Sequence, residues 1–107
     1  MIDDKQYETA MGIITSAGSA KSSALMAIDA AADGDFDEAE KCLAEAAEQM
    51  HAAHDTQMSL ITSEAQGNPV DLSLILIHAE DHLSMAIMAS DLASRMVELY
   101  RSQSRKQ

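Results

Sequence analysis

Apolar residues recur at helical spacing along almost the whole chain. The N-terminal segment carries a stripe of mostly small side chains: Ala10, Ile13, Ala17, Ala20, Ala24, Ile28 and Ala31. The next segment carries a stripe with larger side chains: Phe36, Ala39, Leu43, Ala46, Met50, Ala53, Gln57, Leu60 and Ile61. Spacings of three and four residues place each set on one face of an α-helix. Both segments are therefore predicted to be amphipathic helices, and the small residues of the first favour close helix packing.

A first glycine-containing break separates these two helices. Gly34 suits the left-handed position that follows a helix, and Asp35 can cap the next helix. Asp35 and Glu38 also have the spacing of a capping box, with a carboxylate in place of the usual hydroxyl. The pattern therefore predicts a tight turn here.

A second break follows at Gly67, which is predicted to end the second helix. Asn68 is then predicted to be the N-cap of a third helix, with Pro69 at its first position. The three helices are expected at about residues 3–32, 36–66 and 69–102. Short connections make consecutive helices antiparallel. The prediction is an all-α, antiparallel up-down-up three-helix bundle that forms a single domain over residues 1–107.

The third helix is too apolar for a single packing face. Of the 28 residues from Leu72 to Leu99, 17 are Ala, Val, Ile, Leu or Met. Its polar residues form a separate stripe: Ser73, Glu80, Ser84, Asp91, Ser94, Glu98 and Arg105. Two packing faces are implied, one inside the bundle and one against another subunit, so an oligomer is predicted. The polar tail from Arg101 is predicted to fray.

Composition restricts the possible partners and location. The formal net charge of -11 argues against binding nucleic acid or an anionic membrane surface, which attract clustered Lys and Arg. No apolar run approaches the roughly 20 residues of a membrane span, and no export signal opens the chain. The one cysteine, Cys42, fits a reducing compartment. A cytoplasmic protein without membrane insertion is expected.

Two ionisable residues interrupt an apolar face of the third helix. This face, called here the His78 stripe, consists of Leu74, His78, Asp81, Met85, Met88 and Leu92. Neutral imidazole is a good nucleophile that can accept and release a phosphoryl group, although a core histidine or a metal ligand is the alternative for His78. If copies of Asp81 converge on a symmetry axis, a cation or protons must neutralise them. The alternative is a salt bridge supplied by Lys21 or Lys41.

Other histidines offer weaker signals. His82 lies one turn after His78, but the zinc-protease motif places Glu directly after its first His, where this chain has Ala79. His82 is therefore interpreted as a supporting partner or as polar packing. On the second helix, Glu48 and His51 have di-iron spacing without the second motif that such centres need. His54 and Gln57 lie at the edge of the apolar stripe, where they either line a cleft near His78 or act as ordinary boundary residues.

Several segments of the chain follow a family pattern. In chain order they are SAGSA at 16–20, SA at 23–24, GDF at 34–36, AH at 53–54 with Gln57, LI at 60–61, and LIHAEDHL at 76–83. Together they resemble the IIA component of the lactose/cellobiose (chitobiose) class of the bacterial sugar phosphotransferase system. The last segment is similar to the active-site segment of the family. The resemblance covers nearly the whole chain.

The resemblance implies a homotrimer of nine helices. His78 matches the histidine that is phosphorylated at Nε2, and Asp81 matches an aspartate that, from three subunits, binds one divalent cation, usually magnesium. It further implies that the phosphocarrier protein HPr donates the phosphoryl group. A cysteine of the IIB component would accept it during uptake of a β-disaccharide. The chain departs from the family where Glu80 replaces a frequent Gln and Ser84 replaces Met.

Two competing functions follow from the residues alone. One is a non-catalytic helical scaffold, which would incorporate no phosphate. The other is a metal-binding bundle that uses His78 and His82, for which this face supplies few ligands. The transported sugar, the IIB partner and the role of Cys42 are not specified by the sequence.

Overall fold

Three long α-helices make up most of the computed structural model, which describes residues 3–106. They are α1 (Asp4–Ala32), α2 (Phe36–Ala65) and α3 (Leu74–Arg105), and the described residues form no β-strand. The helices lie side by side in an elongated bundle of 58 × 22 × 18 Å. α1 packs against both other helices, whereas α2 and α3 contact each other much less. The predicted all-α three-helix bundle is confirmed.

The interior of this bundle is built largely from alanine. The predicted stripe of α1 is buried except at Ile28, which is partly exposed. The largest fully buried side chains are Ile13, Leu83, Val97 and Cys42. A partly buried hydrogen bond joins α1 to α2, in which the Ser23 hydroxyl donates to Oε1 of Gln49 at 3.1 Å. Small side chains let the helix axes approach closely, so dispersion contacts along the backbone replace bulky core residues.

The first turn forms as the sequence predicts. Gly34 adopts φ 82°, the left-handed conformation that other residues avoid. The Asp35 carboxylate accepts a hydrogen bond from the Glu38 N–H at 3.1 Å and so caps α2. A full capping box, with both reciprocal bonds, is formed at the start of α1 between Asp3 and Gln6.

The predicted start of α3 is wrong. Gly67 does end α2, with φ 90°, but the Asn68 N–H donates back to the Ser63 carbonyl at 3.0 Å. Asn68 therefore completes the end of α2 instead of capping α3, and the chain runs without helix through residues 68–73. Ser73 is the N-cap, because its hydroxyl accepts from the Leu76 N–H at 3.2 Å.

The predicted fraying of the tail from Arg101 to Gln107 is also wrong as far as Arg105, because α3 continues to that residue, and Gln107 lies outside the described residues. The Arg101 guanidinium lies 4.9 Å from the centre of the Phe36 ring and 2.6 Å from the Glu40 carboxylate. A cation–π contact and an ion pair to the start of α2 hold this last part of the helix in place. None of the helices in the described part of the chain combines the length and apolarity needed to cross a bilayer.

Candidate functional site: a histidine pair on the third helix

His78 and His82 form a direct contact one helical turn apart. Their Nε2 atoms are 3.1 Å from each other, and the two rings meet edge to face with centroids 4.5 Å apart. His78 is exposed to solvent, whereas His82 is partly buried. A partner that approaches α3 therefore meets the His78 ring first, with His82 behind it. His78 is not a core histidine in this chain.

The rest of the His78 stripe is exposed as well. The exposed fractions are 83% for Leu74, 48% for Met85, 60% for Met88 and 46% for Leu92. Scattered apolar residues on a surface need no explanation, but this row is contiguous along one helix face. The sequence prediction of a second apolar face on α3, outside the bundle, is confirmed.

Asp81 lies in this row as an exposed carboxylate. Among residues 3–106 the ion pairs involve other acids, so the alternative for Asp81, a bridge from Lys21 or Lys41, is absent from this set. Within the same residues, no cluster of three His, Cys, Asp or Glu side chains is placed to hold a metal ion. One chain therefore contributes a single carboxylate at this position, and a metal site would need donors from further copies.

Glu80, a member of the predicted polar stripe of α3, is less exposed than most of that stripe. It is partly buried, and its Oε2 accepts a hydrogen bond from Nε2 of Gln57 on α2. The two side chains line a groove of about 250 Å³ between α2 and the start of α3, together with Leu76, Ile77 and Asp81. Gln57 was the one polar member of the α2 stripe, and Glu80 explains why it is tolerated there.

The remaining histidines of α2 lie elsewhere. His51 pairs with Asp55 on its own helix at 3.4 Å, and His54 is exposed. Neither lines the groove that holds Gln57. The structure therefore brings Gln57, and not His54, into the groove that Asp81 also lines.

A groove on the α1 side of His82 was missed by sequence reasoning. Its lining includes the hydroxyl residues Thr15, Ser19 and Ser22 and the backbone at Gly18. The resembling segment at 16–20 was the available signal, since Gly18 and Ser19 of that segment line the groove and Ser19 is exposed.

Cys42 is a buried thiol of the core and does not approach the histidine pair. Burial raises its pKa, and the Glu38 carboxylate, 3.7 Å from Sγ, raises it further. A thiol that resists ionisation is a poor nucleophile.

The chain is similar in sequence to proteins of one family. Residues 8–101 match the family described as "PTS system, Lactose/Cellobiose specific IIA subunit". The galactose-specific EIIA component of Lactococcus lactis subsp. cremoris is 48% identical over 94 residues, which cover 88% of this chain and 81% of that protein.

Two solved structures share the fold. The cellobiose-specific enzyme IIA from Bacillus anthracis has a TM-score of 0.94 and 34% identity, covering 100% of this chain and 97% of that one. The chitobiose IIA of Escherichia coli, solved in complex with HPr, has a TM-score of 0.81 and 30% identity, covering 95% and 99%. The architecture and the identity over most of the chain place this protein among the IIA components of sugar phosphotransferase systems. Within them, it belongs to the lactose/cellobiose-specific family.

Proposed function

We infer that this IIA component carries a phosphoryl group on Nε2 of His78. The protein acts in the cytoplasm. There it accepts the group from phosphorylated HPr and passes it to a cysteine of a IIB component during uptake of a β-disaccharide. The observation that carries this proposal is an imidazole exposed on the third helix of a IIA fold, inside the segment that resembles the family's active site.

The chemistry requires little beyond position. A neutral imidazole carries a hydrogen on one ring nitrogen only, and the lone pair of the other nitrogen is available for attack. Phosphoryl transfer depends mainly on in-line placement of donor and acceptor and on stabilisation of charge. An exposed ring on a rigid helix permits such an approach by another protein.

HPr is supported as the donor by the related Escherichia coli protein, which was solved as a complex with HPr. The named relatives are specific for galactose, cellobiose and diacetylchitobiose systems, so the family serves several sugars. Because galactose is a monosaccharide, these names do not fix the sugar, and the proposal of a β-disaccharide rests on the lactose/cellobiose-specific family to which the chain belongs.

The exposed apolar residues of the His78 stripe support assembly as a homotrimer, in which the His78 ring itself would lie at the edge of the contact and stay open to HPr. Burial of the exposed parts of Leu74, Met85, Met88 and Leu92 against other copies would remove a contiguous apolar face from water. Three Asp81 carboxylates would then meet near the symmetry axis. Oxygen donors of this type suit Mg²⁺, which completes its shell with water. The residues present thus fit one divalent cation per trimer.

Replacement of Asp81 tests the assembly. In Asp81→Leu, an apolar layer replaces three like charges, so we expect the trimer to persist in a chelator that weakens the wild-type trimer. Native mass measurement with and without chelator, for both proteins, checks this. Equal chelator sensitivity of variant and wild type would remove Asp81 from the metal site.

Labelling of the protein tests His78 directly. Incubation with phosphoenolpyruvate, the first enzyme of the system and HPr should add the mass of one phosphoryl group to each wild-type chain. His78→Ala should gain none, while the matched control His51→Ala, which changes an exposed histidine of α2, should be labelled as wild type. Labelled IIA should then lose the group when mixed with IIB, but not with IIB whose cysteine is replaced by serine. Labelling of His78→Ala would contradict the assignment.

A further inference from the structure

We propose that His82 is a positioning residue for phosphoryl transfer: its Nε2–H donates to Nε2 of His78 in the free protein and to a phosphoryl oxygen after transfer. This proposal rests on the proposed role of His78. It concerns how that ring is held before the reaction and how the transferred group is held afterwards.

The geometry allows only one hydrogen between the two rings. The Nε2 atoms are 3.1 Å apart, so one nitrogen donates and the other accepts. If the proton were on His78, its Nε2 would have no lone pair for attack. If the proton is instead on Nε2 of His82, Nε2 of His78 is unprotonated and the hydrogen of the His78 ring is on Nδ1. That tautomer is the nucleophilic one.

The surroundings of the two rings favour this division of roles. His78 is exposed, whereas His82 is partly buried and lines the α1 groove with Thr15 and Ser19. The edge-to-face contact, with an interplanar angle of 85°, gives the rings a defined mutual orientation. A partly buried ring at the edge of the α1 groove is a suitable donor for the exposed ring of His78.

The transfer step balances without any further reactant. The lone pair on Nε2 of His78 forms a bond to the phosphorus of the donor's phosphohistidine. The donor's own P–N bond breaks, and its electron pair returns to the donor imidazole. The hydrogen on Nδ1 of His78 stays in place. The His82 N–H, released when that lone pair is used, turns to an oxygen of the phosphoryl group, where a charge-assisted hydrogen bond is stronger than the one it leaves.

Two substitutions of His82 test its N–H donor and its aromatic ring separately. His82→Phe keeps an aromatic ring and removes the N–H, whereas His82→Gln removes the ring and retains an N–H donor at a similar distance. His51→Phe, on the exposed face of α2, is the matched control. Each full-length protein is measured for the rate of phosphoryl acceptance from phosphorylated HPr and for the ¹⁵N shifts of the His78 ring. The shifts are recorded at about pH 8.5, well above the ordinary imidazole pKa of about 6.5.

The wild type should show His78 mainly with its proton on Nδ1. His82→Phe should move that proton toward Nε2 and slow acceptance roughly 10- to 100-fold, the range expected from loss of a hydrogen bond to a charged group. His82→Gln should recover most of the rate, and His51→Phe should match the wild type.

Three results would overturn the proposal. They are an unchanged His78 tautomer in His82→Phe, an unchanged rate in His82→Phe, or a rate in His82→Gln as low as in His82→Phe. The tautomer is measured on the unphosphorylated protein. It therefore decides the role of His82 even if the wild type accepts no phosphate, a result that would instead refute the proposed function.

Discussion

The interior of the bundle and the outer face of α3 differ in the size of their apolar side chains. Inside, most buried residues are alanines, such as Ala17, Ala20 and Ala86, each fully buried. Outside, the His78 stripe exposes Leu74, Met85 and Met88, which are far larger. Burial of large apolar side chains contributes more to stability than burial of alanine. The larger apolar side chains of α3 thus lie mainly on its outer face, and the interior is filled mainly by alanine.

The largest expected effect comes from placing a charge on the outer face. Met88→Glu would bring three further carboxylates together in the proposed trimer, and like charges that share a site repel strongly. We expect the mass in solution to fall from three chains to one, with the helical circular dichroism retained because Met88 is exposed in the single chain.

A matched control is Ser94→Glu, which adds the same charge on the exposed polar side of α3. It should keep the assembly of the wild type. An unchanged trimer in Met88→Glu would mean that the outer face of α3 is not the interface.

The next largest effect should come from the interior. Leu83 is one of the few large buried side chains, so Leu83→Ala should lower the free energy of unfolding by about 2–5 kcal/mol. The measurement is made in the Met88→Glu background, so that contacts within one chain decide the result. Met85→Ala in that background should cost less than about 1 kcal/mol, since Met85 is half exposed. Equal losses in urea unfolding would contradict the contrast between the two regions.

A smaller loss of stability is expected from changes at the N-terminus of α3. Ser73→Ala removes the cap of α3 and should cost about 0.5–2 kcal/mol. Asn68→Ala keeps the backbone bond to Ser63 and should stay within about 0.5 kcal/mol of the wild type. Chemical denaturation of both variants checks the order, and a larger loss for Asn68→Ala would restore the start predicted from the sequence.

The smallest effect concerns Cys42 in the interior. Its folded-state pKa is raised by burial, so the folded chain holds its thiol proton more tightly than the unfolded chain does. Its contribution to stability is therefore present below the unfolded pKa, near 8.5, and declines as the pH rises above it. Urea unfolding at pH 7 and at about pH 9.5 should show a decline that is smaller in Cys42→Ala. An equal decline in the two proteins would mean that the thiol does not contribute.

Sequence periodicity was sufficient for the helices and for the exposed second face of α3, because both follow from spacing along a single helix. It failed at Asn68, because this residue can either end one helix through its backbone N–H or cap the next through its side-chain oxygen, and the backbone bond to Ser63 decides between them. It also failed for Glu80, whose contact with Gln57 depends on how α2 and α3 are placed. The presence of His78 in the candidate site was predicted, but its contact with His82 required side-chain geometry.

The alanine seam of α1 has a consequence for how this protein tolerates variation. The side chain of alanine is a single methyl group, so few substitutions at these positions can remove enough volume to create a cavity. Almost every change there adds volume, and added volume in a tight interior typically costs about 1–3 kcal/mol. Harmful variants of α1 should therefore be those that enlarge residues such as Ala17 or Ala20, and they would act by forcing the helices apart.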